Sequence, residues 1–379
     1  MEGYLALVNI KVPPTGLQST TDRAYSGVQA TFCHLSWQSQ QDHPAQVPTL
    51  QDVKDESPLC LGTLFSVDLH DITRQATDYD NRNHTFAATV PKRGQGPVDP
   101  TMVLFHESRC GSTLVANLLA AYQPTHVRVY AEAPAPLAAL AACDHTTYCD
   151  RSAHLQLVRD VFYMMGRVTR LERPQYVFYK LQSVAALYLD TFVAALPETP
   201  WMYLYRDSTE VLMSHFQNYY NQHGNNPLSD SFFPPCLRNW GEPQQSPLLK
   251  EIVATQGRTI ESLSKPEYCA AHLATLGESA VRQASATPHV YWVNYESLPF
   301  AVWEDVLPNL VGSLTGKEID ALKRVSKLYS KGKGDRQGQL WKEDGMIKQS
   351  KAPPEVVEAA KLFLEPTYNK LEIVRKGLP

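Results

Sequence analysis

The sequence lacks the features of several large protein classes. No apolar run reaches the roughly 20 residues that a membrane-spanning helix needs, and no long repeat or low-complexity block is present. The formal net charge is −4, so the chain has no overall basic field of the kind that marks nucleic-acid-binding proteins. We therefore expect neither a membrane span nor a nucleic-acid partner.

Metal-ligand spacing is also missing. The seven cysteines form no Cys-x-x-Cys pair, and the histidines and acids are scattered, so we expect no metal. With Cys110 set aside, six cysteines could pair, for example Cys143 with Cys149, and Asn83 begins a glycosylation sequon. These features would suit the Golgi lumen if an anchor lies outside this sequence. The N-terminal apolar run is too short for a signal peptide, however, and the sequence favours the cytoplasm.

What the chain does contain is a regular alternation of apolar runs with helical patterns. The 379 residues are 43% hydrophobic, enough for a large core. Five short apolar or β-branched runs predict buried strands, at residues 102–105, 126–131, 176–180, 201–205 and 290–294. Strands that alternate with amphipathic helices predict an α/β fold, with a mostly parallel central sheet covered by helices on both faces.

The first part of the chain reads as an extension in front of this domain. Pro, Gln, Ser and Asp are frequent in residues 36–55, which suggests a surface loop, and residues 59–69 are apolar enough for one or two strands. The turn-rich segment 92–100 marks the boundary. We therefore predict an N-terminal extension at 1–98 and one domain at 99–379.

The stretch 102–120 has the order strand, small-residue loop, helix. Backbone N–H groups of such a loop and of the helix N-terminus point at one spot and favour an anion there. Gly111 allows close backbone approach, Ser112 and Thr113 offer hydroxyls, and Arg109 can pair with a phosphate. We call residues 106–111 the cradle loop.

The cradle loop is not a Walker A motif. That motif, GxxxxGK[ST], needs glycine where His106 stands and lysine where Ser112 stands. The missing lysine argues against ordinary ATP or GTP hydrolysis.

The segment Arg109-Cys110-Gly111-Ser112-Thr113 resembles instead the 5′-phosphosulfate loop of sulfotransferases, [KR]-S-G-[TS]-[TS], with Cys110 in place of the usual serine. In that family a strand also ends in Arg-Asp, and a helical serine follows the arginine by eight residues. Arg206 and Ser214 match this pattern. The resemblance implies that they hold the 3′-phosphate of 3′-phosphoadenosine 5′-phosphosulfate (PAPS).

Two later segments extend the resemblance. Residues 289–298 are similar to the family's late strand and its [RN]-Y-E-[DS]-L ending, which has a structural role. Residues 329–341, the basic loop, are similar to the loop that closes over the 3′-phosphate, which implies contacts from Lys331, Gly332 and Lys333. The resemblance covers about residues 101–350. It implies a P-loop NTPase-like three-layer fold and PAPS as co-substrate without a metal, and it leaves a homodimer open.

The residue at the position of the catalytic base differs from that in one branch of the family. Cytosolic members end the third strand in Lys-Thr-His; here Lys180 matches the lysine, but Gln182 replaces the histidine, and an amide cannot take a proton. Other branches place a glutamate in an E-x-P setting after the second strand, which makes Glu132 the candidate base. We expect burial at this crevice to raise its pKa. His106 and His215 are fallback bases.

The implied activity is transfer of the sulfuryl group from PAPS to an acceptor hydroxyl by in-line displacement, giving PAP. Arg109 and Lys180 would offset charge on the bridging oxygen. The alternatives are a non-catalytic nucleotide-binding member and a P-loop kinase. We expect the acceptor to be a small molecule or a glycan. The Pro/Asn/Gly-rich segment 221–249 is a predicted lid or acceptor wall. Its aromatic residues suit a phenol, sterol or lipid, whereas its polar groups, such as Arg238, suit a sugar.

Overall fold

A computed structural model describes residues 5–62, 64–86, 96–144, 146–168, 174–223, 228–229, 231–243, 245–285, 287, 289–341 and 345–377. The N-terminal part forms a three-stranded antiparallel sheet in the order β1-β2-β3. Its strands are β1 (Ala6–Lys11), β2 (Gln29–Cys33) and β3 (Phe65–Asp68). Its helices are α1 (Gln38–Asp42), α2 (Leu50–Asp55), α3 (Pro58–Gly62) and α4 (Leu69–Phe86).

The five predicted strands all form, and they build one parallel sheet. They are β4 (Pro100–His106), β5 (Val127–Ala131), β6 (Tyr176–Lys180), β7 (Trp201–Tyr205) and β8 (Val290–Asn294). The order across the sheet is β5-β6-β4-β7-β8, so the strand that leads into the cradle loop lies at the centre. Strand, phosphate-type loop and helix at a central strand is the arrangement of P-loop folds.

Helices cover both faces of this sheet. They are α5 (Ser112–Tyr122), α6 (Pro134–Leu140), α7 (Arg151–Gly166), α8 (Leu189–Ala195), α9 (Ser208–His223), α10 (Pro247–Thr255), α11 (Lys265–Arg282), α12 (Leu307–Val311), α13 (Gly316–Ser326), α14 (Gly345–Lys351), α15 (Pro354–Ala359) and α16 (Glu365–Arg375). Side chains of α5, α12 and α13 pack on one face, and those of α7, α8 and α11 pack on the other. The predicted three-layer α/β fold is confirmed.

The central strand shows why its run is apolar throughout. Met102 and Leu104 lie in the core of the α5 face, whereas Val103 and Phe105 lie in the core of the opposite face. Successive side chains of a strand point to opposite faces, and both faces of this sheet are covered. All four side chains are therefore fully buried.

Side chains cap the start of several helices. Ser264 and Thr315 each form a capping box at the start of α11 and α13. Asp207 Oδ1 caps α9 by accepting from the Glu210 N–H at 3.0 Å. The Glu210 carboxylate does not complete that box, because it pairs with the side chain of Arg206.

The prediction of a surface loop at 36–55 was wrong. This segment forms α1 and α2, and Leu50 and Val53 are buried. The polar residues that suggested a loop include the helix cap itself, because Thr49 and Asp52 form a capping box at α2. At the C-terminal end, α15 continues through a π-helical turn into α16.

The N-terminal extension packs against the main domain rather than apart from it. Leu7 and Ile10 of β1 belong to the same buried cluster as Phe105 of β4. The Tyr25 hydroxyl donates to Asp160 of α7 at 2.6 Å. Residues 92–95 of the predicted boundary lie outside the described residues, and the domain division at 98/99 stays a prediction.

Six of the seven cysteines are paired. The disulfides are Cys33–Cys60, Cys143–Cys149 and Cys236–Cys269, and the second is the pair that the sequence analysis gave as an example. Cys110 is free and buried, and its Sγ donates to the Leu204 carbonyl at 3.3 Å. Among the described residues, no helix is long and apolar enough to cross a membrane.

This pairing predicts a thiol count. Iodoacetamide added to the denatured, unreduced protein should label Cys110 alone, and labelling after reduction should reach all seven cysteines. Peptide mass spectrometry reads both results, and a Cys110→Ser variant should give no label before reduction. A second labelled cysteine in the unreduced protein would contradict the pairing.

Candidate functional site

A cleft of about 590 Å³ opens where the parallel strands end at their carboxyl side, the edge at which α/β proteins bind ligands. Segments far apart in sequence meet there. The predicted site residues that line it are His106, Arg109, Gly111, Ser112, Thr113, Glu132, Lys180, Arg206, Ser214 and Lys331. Four other predicted residues do not line it, namely Cys110, His215, Gly332 and Lys333.

The cradle loop has the backbone shape of an anion site. Ser108, Arg109 and Gly111 have φ values of 72°, 54° and 89°, so the chain turns sharply before α5. In the described structure, no backbone acceptor is found for the N–H groups of Cys110, Gly111 and Thr113. N–H groups left unpaired at a helix N-terminus are available to an anion.

Backbone strain is concentrated in this cleft. Among the described residues, the non-glycine residues with positive φ are Ser108, Arg109 and Glu132, and all three line the cleft. Each such residue costs on the order of 1–3 kcal/mol unless its surroundings hold it. Glu132 is held by β6: its N–H donates to the Lys180 carbonyl at 2.6 Å, and Gln182 Nε2 donates to its carbonyl at 2.9 Å.

The Tyr295 ring explains why residue 111 is glycine and what the late-strand motif contributes to the cleft. A Cβ at Gly111 would lie 2.8 Å from the Tyr295 ring, so only glycine fits. The same ring lies under the Arg206 guanidinium, 4.0 Å from its centre. Tyr295 therefore positions two parts of the cleft at once, in line with the structural role expected for residues 289–298.

The two predicted phosphate motifs meet directly. Arg109 Nε donates to Ser214 Oγ at 3.1 Å across 105 residues of sequence. Arg206 is 4% exposed, and its Nε donates to Glu210 Oε2 at 2.7 Å. Arg109, Arg206 and Ser214 thus face one cleft, with Glu210 as the internal partner of Arg206.

Glu107 is a site residue that the sequence reasoning missed. It is 2% exposed, and its Oε1 accepts the backbone N–H of Arg206 at 2.6 Å. Burial raises the pKa of Glu107 to about 8, although the Arg206 N–H and charge oppose the shift. The one signal in the sequence is an acid directly after the end of β4, separated from the apolar run 102–105 by His106.

Glu132 and Lys180 form an ion pair at the base of the cleft. Burial alone would raise the pKa of Glu132, but the charge and hydrogen bond of Lys180 outweigh it, and the net pKa lies below the usual value. The expectation of a raised pKa was therefore wrong. The physical reason is the partner: the charge and the hydrogen bond of Lys180 both favour the ionised carboxylate.

His106 holds the cradle loop. Its Nδ1 accepts the Ser108 N–H at 3.0 Å, and its Nε2 lies 3.0 Å from the Leu181 carbonyl, so the proton is on Nε2. Burial and the charge of Lys180 lower the pKa of His106 well below its usual value. Both ring nitrogens are engaged inside the protein, which gives His106 a positioning role rather than that of a base.

The basic loop rests on the N-terminal extension. Lys331 lines the cleft. The Gly332 N–H donates to the Ala45 carbonyl at 2.9 Å, and Lys333 pairs with Asp52, whose hydrogen bond raises the pKa of Lys333. Lys333 therefore anchors the loop in this structure, while Lys331 faces the cleft.

The cleft is strongly cationic although the whole chain carries a net charge of −4. Its lining cations are Arg109, Lys180, Arg206, Lys331, Arg336 and Lys348. Its lining carboxylate, within the described residues, is Glu132, which already pairs with Lys180. Such a set of charges suits a ligand with several negative charges.

Two groups of described residues bring histidine and cysteine together away from the cleft lining. They are Cys143, Cys149 and His154, and His215, Cys236 and Cys269. In each group the two cysteines are joined in a disulfide. A metal ion binds the thiolate form of cysteine, so neither group offers a cysteine ligand.

No family model matches this chain, and no curated protein does either. Several solved structures are similar to it, and these are sulfotransferases. One from Alicyclobacillus acidocaldarius is 13% identical, with 73% of this chain and 96% of that chain covered and a TM-score of 0.35. The sulfotransferase domain of the Synechococcus PCC 7002 olefin synthase is 12% identical, with 76% and 98% covered and a TM-score of 0.34.

A third is the sulfotransferase domain from the curacin biosynthetic pathway, which is 11% identical, with 75% of this chain and 100% of that chain covered and a TM-score of 0.34. Identities and TM-scores this low carry no argument about function. The functional conclusion therefore rests on the geometry of the cleft itself.

Glu107 predicts a pH-dependent stability. Its pKa is about 8 in the folded chain and 4.5 when unperturbed, so between these values the folded state holds a proton that the unfolded state has lost. The contribution of Glu107 is complete below pH 4.5 and is lost as pH rises through 8, at about 1.4 kcal/mol per pH unit. A Glu107→Gln variant keeps the oxygen that accepts from Arg206 and removes the titration.

Urea unfolding of both proteins from pH 5 to pH 8 measures this difference. We expect the free energy of unfolding of the wild type to fall relative to that of Glu107→Gln as pH rises. Parallel curves for the two proteins would show that Glu107 does not bind its proton in the folded state.

Proposed function

We propose that the protein is a PAPS-dependent sulfotransferase that transfers a sulfuryl group to an acceptor hydroxyl and gives PAP and a sulfated product. The observation that carries this proposal is the hydrogen bond between Arg109 and Ser214. It joins two phosphate motifs that lie 105 residues apart, beside Arg206 in a cation-rich cleft. A βα turn without a ligand would need neither this convergence nor unpaired loop N–H groups.

The residues of the cleft fit the two charged ends of PAPS. The loop N–H groups, Arg109 and the hydroxyls of Ser112 and Thr113 would hold the 5′-phosphate. Arg206 and Ser214 would hold the 3′-phosphate. Lys331 would cover the same phosphate from the basic loop, in which Gly332 and Lys333 act through their contacts with the N-terminal extension.

The chemistry then needs one proton transfer and charge stabilisation. When bound, PAPS supplies an activated sulfuryl group, which bonds to the acceptor oxygen as the bond to the bridging oxygen of PAP breaks. Glu132 takes the hydroxyl proton, and Arg109 and Lys180 offset the negative charge on the departing oxygen. Each such cation can lower the barrier by on the order of 3 kcal/mol.

The ion pair with Lys180 fixes the charge state of Glu132. Lys180 lowers the pKa of Glu132, so the carboxylate is ionised at neutral pH and can accept a proton, but it is a weaker base than an unpaired glutamate. Because Lys180 is almost fully buried, the pair holds the carboxylate at the carboxyl end of β5. His106 then supports the site by holding the loop, and Gln182 by fixing the Glu132 backbone.

The alternatives keep the fold and change the chemistry. A P-loop kinase needs acidic ligands for Mg²⁺ and the Walker lysine, whereas the lining carboxylate in the described part of this cleft is already paired. A non-catalytic nucleotide-binding protein would share the phosphate contacts and lack turnover. Turnover, rather than binding, separates it from an enzyme.

PAP binding tests the nucleotide site. Calorimetry should show micromolar, Mg²⁺-independent binding of PAP and weaker binding of ATP. An Arg206→Gln variant should bind PAP about 10- to 100-fold more weakly, because a hydrogen bond between charged groups contributes about 1.5–3 kcal/mol.

Glu210→Gln is the matched control, since it removes the negative charge that neutralises Arg206 and keeps the cation. We expect it to bind PAP at least as tightly as the wild type. Mg²⁺-dependent preference for ATP, or no binding of PAP, would overturn the proposal in favour of the kinase or of a fold without this ligand.

Turnover tests the role of Glu132. With radiolabelled PAPS and a panel of phenols, sterols and sugars, Glu132→Gln should lower sulfated product formation by about 10²–10⁴-fold, the usual contribution of a general base. Its affinity for PAP should stay within a few-fold of wild type. If the wild type binds PAP and sulfates none of these acceptors, the non-catalytic alternative replaces the enzyme.

The disulfides bear on where the protein works. The structure contains three disulfide bonds. Disulfide bonds form and persist in oxidising compartments and are rare in the cytosol. We therefore propose the lumen of the secretory pathway, such as the Golgi, over the cytoplasm that the sequence favoured. Alkylation at lysis, followed by the thiol count described above, measures whether the bonds exist in the cell.

A further inference from the structure

A second cavity of about 580 Å³ lies beside the cleft. Ser108 of the cradle loop lines both, so the two spaces adjoin at the strained turn. On the other side the second cavity is closed by residues 233–238, part of the segment that the sequence analysis interpreted as a lid or acceptor wall. We call residues 233–238 the wall segment.

The wall segment is fastened to α11. Cys236 forms a disulfide with Cys269 of that helix. Lys265 lies over the Phe233 ring at 4.5 Å and donates to the Phe232 carbonyl at 3.2 Å. The cavity therefore has a built wall on a rigid helix.

Two buried polar groups in this cavity have no partner. His215 is 6% exposed, and both of its ring nitrogens lack a hydrogen bond within the described structure, as does Gln182 Oε1. Both residues line the cavity. Buried polar atoms are nearly always hydrogen-bonded, and leaving them unpaired is costly. A ligand hydroxyl could pair with both residues, because it can donate its one hydrogen to Gln182 Oε1 and accept from the N–H of the neutral His215 ring.

The cavity offers neutral and apolar contacts. Burial, with the charge of Arg109, lowers the pKa of His215 to about 3, and burial lowers that of His272 to about 4, so both rings are neutral. Apolar surface comes from Leu137, Val184, Phe233, Leu237 and Leu273. Among the lining residues, the charged one is Arg238, which is exposed. Such a lining favours an uncharged ligand with a large apolar part.

The polar end of the cavity is next to the proposed chemistry. Gln182 Nε2 donates to the main-chain carbonyl of Glu132 at 2.9 Å, while its Oε1 is unpaired. His215 directly follows Ser214, whose hydroxyl accepts from Arg109. A hydroxyl held between His215 and Gln182 would thus lie beside both the candidate base and the cradle loop.

We propose that the second cavity is the acceptor site, and that it takes an uncharged alcohol or phenol with an apolar ring, whose hydroxyl is held by His215 and Gln182. The role of the bound molecule as the sulfuryl acceptor rests on the proposed function, whereas the existence of the binding site does not. Of the acceptor classes that the sequence left open, the cavity selects the apolar ring over the sugar.

The test uses 2-naphthol as the probe, an uncharged bicyclic phenol at neutral pH. Calorimetry on the full chain, with and without saturating PAP, measures its affinity beside that of 2-methoxynaphthalene, which lacks the hydroxyl hydrogen, and methyl β-glucoside, which lacks the apolar ring. We expect 2-naphthol to bind most tightly in both conditions. Preference for the glucoside, or no binding of 2-naphthol with or without PAP, would overturn the proposal.

Variants place the probe in the cavity. His215→Phe removes both ring nitrogens at similar size and should weaken 2-naphthol roughly tenfold, while His215→Asn should recover part of the affinity. Val184→Trp should fill the cavity and abolish binding. His223→Phe, on the exposed end of the same helix, is the matched control and should bind as wild type does.

Two readouts keep folding and function apart. Each variant should retain the PAP affinity and unfolding temperature of the wild type within a few-fold and a few degrees, and unchanged 2-naphthol affinity in a folded His215→Phe would contradict the assignment. If PAP fails to bind but 2-naphthol binds in a His215-dependent way, the sulfotransferase proposal falls and the cavity stands as a binding site. If PAP binds and 2-naphthol does not, the sulfotransferase proposal stands and the assignment of the second cavity falls.

Discussion

The turn between β4 and α5 is the constraint on which the rest of the site depends. Its backbone takes positive φ at Ser108 and Arg109, which non-glycine residues adopt at a cost. Two consecutive side chains hold it in place. His106 reaches the end of β6 through the Leu181 carbonyl, and Glu107 reaches the end of β7 through the Arg206 N–H. Since β6 and β7 flank β4 in the sheet, the turn is held from both sides.

The same turn explains why distant segments converge. A parallel sheet brings the carboxyl ends of its strands to one edge, so Glu132, Lys180 and Arg206 arrive beside the cradle loop although they lie far apart in sequence. The N-terminal extension then supports the cleft from outside, because Asp52 holds Lys333 of the basic loop. The strain and the cations lie where an anion would bind.

Much of this arrangement could be predicted from local pattern. Each predicted strand of the central sheet forms, because the pattern of apolar residues acts over a few positions. Predictions failed where a residue far away in the sequence determines the pKa or the burial of a group. The pKa of Glu132 is lowered by Lys180 on the next strand. The segment 36–55 forms helices because this structure buries Leu50 and Val53.

The sequence by itself determined the α/β class, the place of the cradle loop and the identity of the residues that surround it, since those follow from short-range spacing. Only the tertiary structure decided which roles are open to them. It engaged both nitrogens of His106, buried Glu107 and joined Lys333 to Asp52. It also left the ring nitrogens of His215, beside a second cavity, without a hydrogen-bond partner among the described residues. The physical reason is that protonation, pairing and burial depend on groups many tens of residues away, whose distances are set by the packing of the whole sheet.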